Sequence, residues 1–140
     1  MKNAIVTGAT KGIGLAVARM LLNEGYHVVV TYAHDEKSAE ECRKLLSEIS
    51  PEFEVVKADQ SDKEEMRRFA YSLHKFDTID CVVCNAGTTL RLDLEAITDE
   101  DWERTMQVNL NSSLFLIRDL YRSIAPNSRI VFIGSLMGVY

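Results

Sequence analysis

At 140 residues, with 46% hydrophobic and 26% charged residues, the chain has the size and composition of one ordinary globular domain rather than a disordered segment. A formal net charge of −5 argues against a nucleic-acid partner, because phosphate backbones demand clustered Lys and Arg. No apolar run approaches a membrane span, and Met1-Lys2-Asn3 leads straight into a strand without a signal-peptide pattern, so no membrane is expected and the cytoplasm is the expected location.

Apolar and turn-forming residues alternate along the whole chain. Residues 4–7 read as a first strand, and Thr7-Gly8-Ala9-Thr10-Lys11-Gly12-Ile13-Gly14 carries the chain from it into an amphipathic helix. Glycines at such a turn let the backbone bend tightly and let a ligand approach where no Cβ intervenes. The helix start adds unpaired N–H groups and a positive dipole end, which favours a phosphate. This helix is predicted to bury Ile13, Val17, Met20 and Leu21 and to end at Gly25. His27-Val28-Val29-Val30-Thr31-Tyr32 is the second strand, continuously apolar at its centre as expected when helices cover both faces.

A second helix carries Ala39, Cys42, Leu45, Leu46 and Ile49 on one stripe, with Pro51 past its end, and residues 53–57 form the third strand. Ser61-Asp62-Lys63-Glu64 has the capping-box pattern, followed by the stripe Met66, Phe69, Ala70 and Leu73. Residues 80–84 are the fourth strand, ending at Asn85-Ala86-Gly87. Thr98 is placed to cap a long helix running through Trp102, Met106 and Leu110 to Leu120, and residues 129–134 form the fifth strand, stopping at Ser135.

Cys81 and Cys84 share a strand three residues apart, so their side chains point to opposite faces and favour burial over a redox or zinc pair. The three histidines, His27, His34 and His74, show no ligand spacing, and nothing supports metal binding. Five strands alternating with four helices predict a doubly wound α/β domain over residues 1–140. Ligands in such sheets sit at the carboxyl ends of the strands, which is where every polar cluster of this chain falls.

These clusters resemble the short-chain dehydrogenase/reductase family. Gly8, Gly12 and Gly14 are spaced G-x-x-x-G-x-G as in that family, and Asn85-Ala86-Gly87 is similar to its N-A-G motif. Asp59 sits where the family places an adenine-contacting aspartate, Asn109 on its helix asparagine, and Ser135 on its catalytic serine. The resemblance implies strand order 3-2-1-4-5 and an NADP(H) cofactor contacted by Gly8, Thr10, Lys11, Gly12, Ile13, Gly14, Tyr32, His34, Asp59, Gln60, Asn85, Ala86 and Gly87. It implies catalytic roles for Asn109 and Ser135. Each residue also has a plainer reading: Asp59 as a helix-entry group, Asn85–Gly87 as a turn, Asn109 as a solvent-facing amide and Ser135 as a turn serine.

NADP rather than NAD follows from charge. An acid at the end of strand two would hold a ribose 2′-hydroxyl, but the aligned residue is Tyr32, while Lys11 matches a basic position of NADP-dependent members and His34 lies nearby. Asp35 is the competing acid, about three residues too late. The family's proton donor is a Tyr with a Lys four residues on, about a dozen residues after the serine, whereas Tyr140 comes five after Ser135. The chain is therefore expected to lack the C-terminal strands, to expose an apolar sheet edge after strand five and to be inactive as it stands.

Within the family the motifs are most similar to 3-oxoacyl-acyl-carrier-protein reductases. That implies a small-molecule or carrier-bound carbonyl substrate, a place in fatty-acid synthesis and a homodimeric or homotetrameric full-length parent. A non-catalytic NAD(P)-binding regulatory module is the rival expectation, against which Asn109 and Ser135 speak. A flavodoxin-like protein is disfavoured by the glycine turn.

Overall fold

Asn3–Val6 (β1), His27–Tyr32 (β2), Phe53–Lys57 (β3), Ile79–Cys84 (β4) and Ile124–Phe132 (β5) form one parallel sheet in a computed structural model, which describes residues 1–136. The strand order is β3-β2-β1-β4-β5, as expected. Five α-helices connect the strands, the last two both lying between β4 and β5: α1 Gly12–Asn23, α2 Glu36–Ser47, α3 Lys63–Ser72, α4 Asp99–Met106 and α5 Ser112–Leu120. Among the described residues, no helix is long and apolar enough to cross a membrane.

The two faces of the sheet carry separate cores, which explains the continuous apolar strands. Ala4, Val6, Val28, Val30, Cys81 and Val83 pack under Ala18, Leu21 and Leu22 of α1 and Cys42 and Leu46 of α2. Ile5, Val29, Val82 and Cys84 face the other way, against Met66, Phe69 and Ala70 of α3 and Leu116 and Leu120 of α5. Cys81 and Cys84 thus lie on opposite faces, and all three thiols are free and buried, with burial holding each of them protonated above the usual thiol range.

Four local expectations need correction. The buried stripe of α1 is Gly14, Ala18, Leu21 and Leu22, and Ile13 and Met20 are 64% and 54% exposed. Small residues on the stripe bring the helix axis close to the sheet, which rotates the larger Ile13 and Met20 outward. At its end, the Gly25 N–H bonds to the Leu22 carbonyl and the Tyr26 N–H to the Leu21 carbonyl, a Schellman closure that bears out Gly25 as terminator.

The cap of α3 is Asp62 and not Ser61: the Asp62 carboxylate accepts from the Glu64 and Glu65 N–H groups, both at 3.0 Å, while Ser61 turns back to Asp59. Asp62→Ala is accordingly expected to cost about 1 kcal/mol, read as a lowered urea midpoint with unchanged slope.

The third correction concerns the long helix. Thr98 caps it with a reciprocal box to Asp101, but the expected single helix is interrupted by a π-helical turn over Gln107–Asn111 that joins α4 to α5. One added residue per turn shifts the buried phase, so Gln107, Val108, Ser112, Ser113, Leu116 and Leu120 are inside while Trp102 and Leu110 are exposed. At the sheet's edge, β5 begins at Ile124, earlier than expected: Ile79 pairs with Ile124 and Cys81 with Arg129, so β5 bulges between them. Pro126 and Asn127, the latter at φ 66°, lie in that excursion, where no ladder hydrogen bond is required of them. The outer residues Ile130, Val131, Phe132 and Ile133 are exposed, the apolar edge that the sequence implied.

Candidate functional site

The chain runs outward from β1 to β3 and then crosses to β4, so the helices that follow β1 and β4 leave the sheet in opposite directions. A crevice must open there, at the carboxyl ends of these two strands. It is a cleft of about 440 Å³, a size that suits a small ligand. Of the residues singled out from sequence, Gly8, Thr10, Lys11, Tyr32, His34, Asp59, Gln60, Asn85, Ala86 and Gly87 line it. Gly12, Ile13 and Gly14 do not line it, and neither do Asn109 and Ser135. Ser135 is exposed just past β5, and Tyr140 lies outside the described residues.

Two threonines lock the turns that form the floor. The buried Thr7 hydroxyl accepts from the N–H groups of Asn85 (3.0 Å) and Ala86 (3.1 Å), and the Thr31 hydroxyl accepts from the Gly8 N–H (3.1 Å). The Asn85 amide returns the tie, donating to the carbonyls of Thr7 (3.1 Å) and Gly8 (2.9 Å). The turn after β4 is thereby fastened to the turn after β1 by four hydrogen bonds. Gly14 completes the closeness, since a Cβ there would sit 2.5 Å from Asn85 Nδ2 and 2.7 Å from Ala9 Cα. Thr7 and Thr31 were not anticipated as site residues; a hydroxyl in an otherwise apolar buried strand end was the available signal, because such a group must find a partner.

Charge gathers at the β2–β3 end. Lys11 Nζ lies 3.3 Å from Asp35 Oδ2, and His34 Nε2 lies 2.9 Å from Asp59 Oδ2. Asp35 caps α2: its Oδ1 accepts the Ser38 N–H at 3.0 Å and its Oδ2 the Ser38 hydroxyl at 2.7 Å. The Ser38 N–H and hydroxyl, with Lys11, hold its carboxyl down at about 2. Burial pushes the Asp59 carboxyl up, but the Ser61 N–H and hydroxyl, His34 and Arg104 outweigh it and leave it below the usual range. Arg104, from α4, also lines the cleft and was missed in the sequence, as an exposed helix arginine carries no local signal. Tyr32 is buried on the wall, its hydroxyl donating to Glu36 Oε2 at 2.8 Å.

The loop after β3 and the π-helical turn are joined through Gln60. Its buried Nε2 donates to the Val108 carbonyl at 3.2 Å, and its own carbonyl accepts from Ser112 Oγ at 3.1 Å and Gln107 Nε2 at 3.4 Å. Asn109, within the π-helical turn, is exposed at its surface yet engaged at both amide atoms. Its Oδ1 accepts from the Thr88 N–H (2.7 Å) and its Nδ2 donates to the Thr88 carbonyl (2.8 Å). This clamps the loop that follows Asn85-Ala86-Gly87 against the helix. A cleft floored by close backbone turns, with a helix start at one side and a cation at its rim, suits an elongated ligand carrying phosphates. Among the described residues, no group of three or more His, Cys, Asp or Glu side chains could hold a metal ion.

A family model described as short chain dehydrogenase matches residues 2–140. The short-chain dehydrogenase/reductase FrzI of a Cladobotryum species is 35% identical over 136 residues, covering 96% of this chain and 53% of that protein. A 3-oxoacyl-acyl-carrier-protein reductase of Rickettsia conorii is 31% identical over 140 residues, covering 99% of this chain and 55% of its own. Among solved structures, a short chain dehydrogenase of Burkholderia cenocepacia in complex with NADP superposes with a TM-score of 0.91 at 27% identity, over 99% of this chain and 57% of that one. The chain spans about half the length of the relatives it matches.

Proposed function

The chain belongs to the short-chain dehydrogenase family, and we propose that it forms the cofactor-binding part of an NADP(H)-dependent carbonyl reductase. The observation that carries this reading is the placement of Lys11 at the rim of the cleft, beside the ends of β1 and β2, over a floor made of the Gly8 and Asn85–Gly87 turns. Gly8 packs so tightly on Ala86 that a Cβ would meet its Cα at 2.7 Å, which holds the two turns of the cleft floor together, and a glycine turn leading into a helix start suits a pyrophosphate. Asp59 and Gln60 would then border the adenine, Asn85 to Gly87 the nicotinamide side, and Lys11 with His34 the ribose 2′-phosphate.

Bound NADPH supplies the hydride of such a reaction. This chain's residues bind it, orient it and exclude water from one side. Asn109 sets the position of Thr88 beside the cofactor, and Ser135 is assigned to the substrate carbonyl. The carbonyl oxygen also needs a proton donor. Tyr32, which lines the cleft, donates its hydroxyl to Glu36 and is not the group this reading assigns as that donor. A 3-oxoacyl thioester, free or carrier-bound, is the substrate class we favour, by similarity to the Rickettsia reductase. A homodimer or homotetramer is the form we favour for the whole protein.

Titration of the chain with NADPH and NADH, followed by nicotinamide fluorescence, tests the reading. NADPH is expected to bind more tightly, and Lys11→Ala to weaken NADPH about tenfold while changing NADH less than about twofold, the worth of one charge-assisted contact. Equal loss for both nucleotides would remove the 2′-phosphate assignment.

A further inference from the structure

The π-helical turn between α4 and α5 is held from outside the helix. The Ser112 N–H bonds to the carbonyl of Gln107, five residues back, and not to the Val108 carbonyl that an α-helix would offer it. Gln60 Nε2 takes the vacated place, donating to the Val108 carbonyl at 3.2 Å. The tie runs both ways, since the Gln60 carbonyl accepts from Ser112 Oγ at 3.1 Å and from Gln107 Nε2 at 3.4 Å. Gln60 is buried and its Oε1 has no partner among the described residues, so the joint uses the donor end of this side chain. The residue after Val108 is Asn109, which grips both backbone groups of Thr88. A glutamine at the β3 end of the cleft is thus linked, through the turn, to the loop that follows β4.

Resting on the NADP(H) reading above, we infer that Gln60 is a positioning residue for the nicotinamide side of the cleft, acting on Thr88 through the Val108 carbonyl and Asn109. Val108 is buried, so without the glutamine donor its carbonyl loses a bond that water does not replace. The nearest repair is the α-helical register, in which the Ser112 N–H returns to Val108. That register removes the extra residue of the turn. It rotates the residues ahead of Ser112 by about 100° relative to α5 and carries the Asn109 amide away from Thr88. A residue bordering the adenine end thereby sets the order of the loop at the other end of the cleft.

Three variants test this. Gln60→Met keeps the length of the side chain without its donor, and Gln60→Glu keeps shape and acceptor but sets a carboxylate against the Val108 carbonyl. Ser112→Ala removes the hydroxyl on the Gln60 carbonyl from a position that does not line the cleft. Hydrogen exchange is followed first without ligand. The Thr88 amide is expected to exchange about tenfold faster in both Gln60 variants and about threefold faster in Ser112→Ala, with β1 and β4 amides unchanged. Binding is then compared for NADPH and for 2′,5′-ADP, which carries the adenosine half and no nicotinamide. In Gln60→Met, NADPH is expected to weaken about fivefold and 2′,5′-ADP to change less than about twofold. Unchanged Thr88 exchange, or faster exchange spread equally over β1 and β4, overturns the positioning role, and Ser112→Ala decides the matter if the Gln60 variants do not fold. Equal weakening of both ligands makes Gln60 an adenine contact only and also overturns it. Failure of the unsubstituted chain to bind either ligand overturns the cofactor reading instead, a result separate from the ligand-free exchange of Thr88.

Discussion

Gly8→Ala is expected to abolish measurable nucleotide binding and to destabilise the domain by about 3 kcal/mol. Two costs add at this position. Gly8 has φ 59°, in the left-handed region where an alanine loses roughly 1 kcal/mol or more. A Cβ there would also lie 2.7 Å from Ala86 Cα and 2.9 Å from Ala86 Cβ, so the turns after β1 and β4 would have to separate. Their separation would break the hydrogen bonds of Thr7 and Asn85 that form the cleft floor.

Gly12 provides the internal comparison. It has nearly the same φ, 60°, but a Cβ at Gly12 meets nothing within 4 Å, so Gly12→Ala is expected to cost only the backbone strain, about 1 kcal/mol. Urea unfolding of the two variants with NADPH titration of each checks the pair. Equal destabilisation by the two substitutions would show that packing against Ala86 is not what requires glycine at position 8.

The contrast between these glycines marks what could be read in the sequence. The glycine spacing located the turn, and the alternation of apolar strands and helical stripes gave the order of elements and the faces of Cys81 and Cys84. Such features depend on residues close in the chain. Helix phase did not follow as well. Ile13 and Met20 fit a 3.6-residue stripe as well as Gly14 and Ala18 do, and only the proximity of Asn85 and Ala9 selects the small residues for the inside. The π-helical turn was hidden for a related reason, because it is stabilised from outside the helix by Gln60 and Thr88.

Pairings between loops were hidden as well: Asp35, three residues past β2, is returned by its cap turn to 3.3 Å from Lys11. Ten of the residues singled out in the sequence thus line one cleft at the strand ends, while their pairings were not legible. An ion pair between side chains 24 positions apart depends on how two loops are folded, and neither loop has a periodicity that reports it.

Asn109→Ala is the second substitution with a large expected effect, and its consequence should appear away from the mutated residue. Asn109 is exposed, so removing its side chain leaves no buried cavity. What is lost is the pair of bonds at 2.7 and 2.8 Å that hold both backbone groups of Thr88. Two such bonds are worth about 2 kcal/mol together, and most of that is expected to appear as loosening of the 86–90 loop rather than as global unfolding. NADPH affinity should fall roughly tenfold or more, since ordering of the loop is then deferred to binding. Asn109→Asp keeps the acceptor for the Thr88 N–H but sets a carboxylate against the Thr88 carbonyl, so an intermediate loss is expected. Hydrogen exchange gives the direct readout: the Thr88 amide should exchange fast in Asn109→Ala and stay protected in Asn109→Asp, with β1 and β4 amides unchanged in both. Fast exchange of the β1 amides in Asn109→Ala would instead mean that Asn109 supports the fold as a whole.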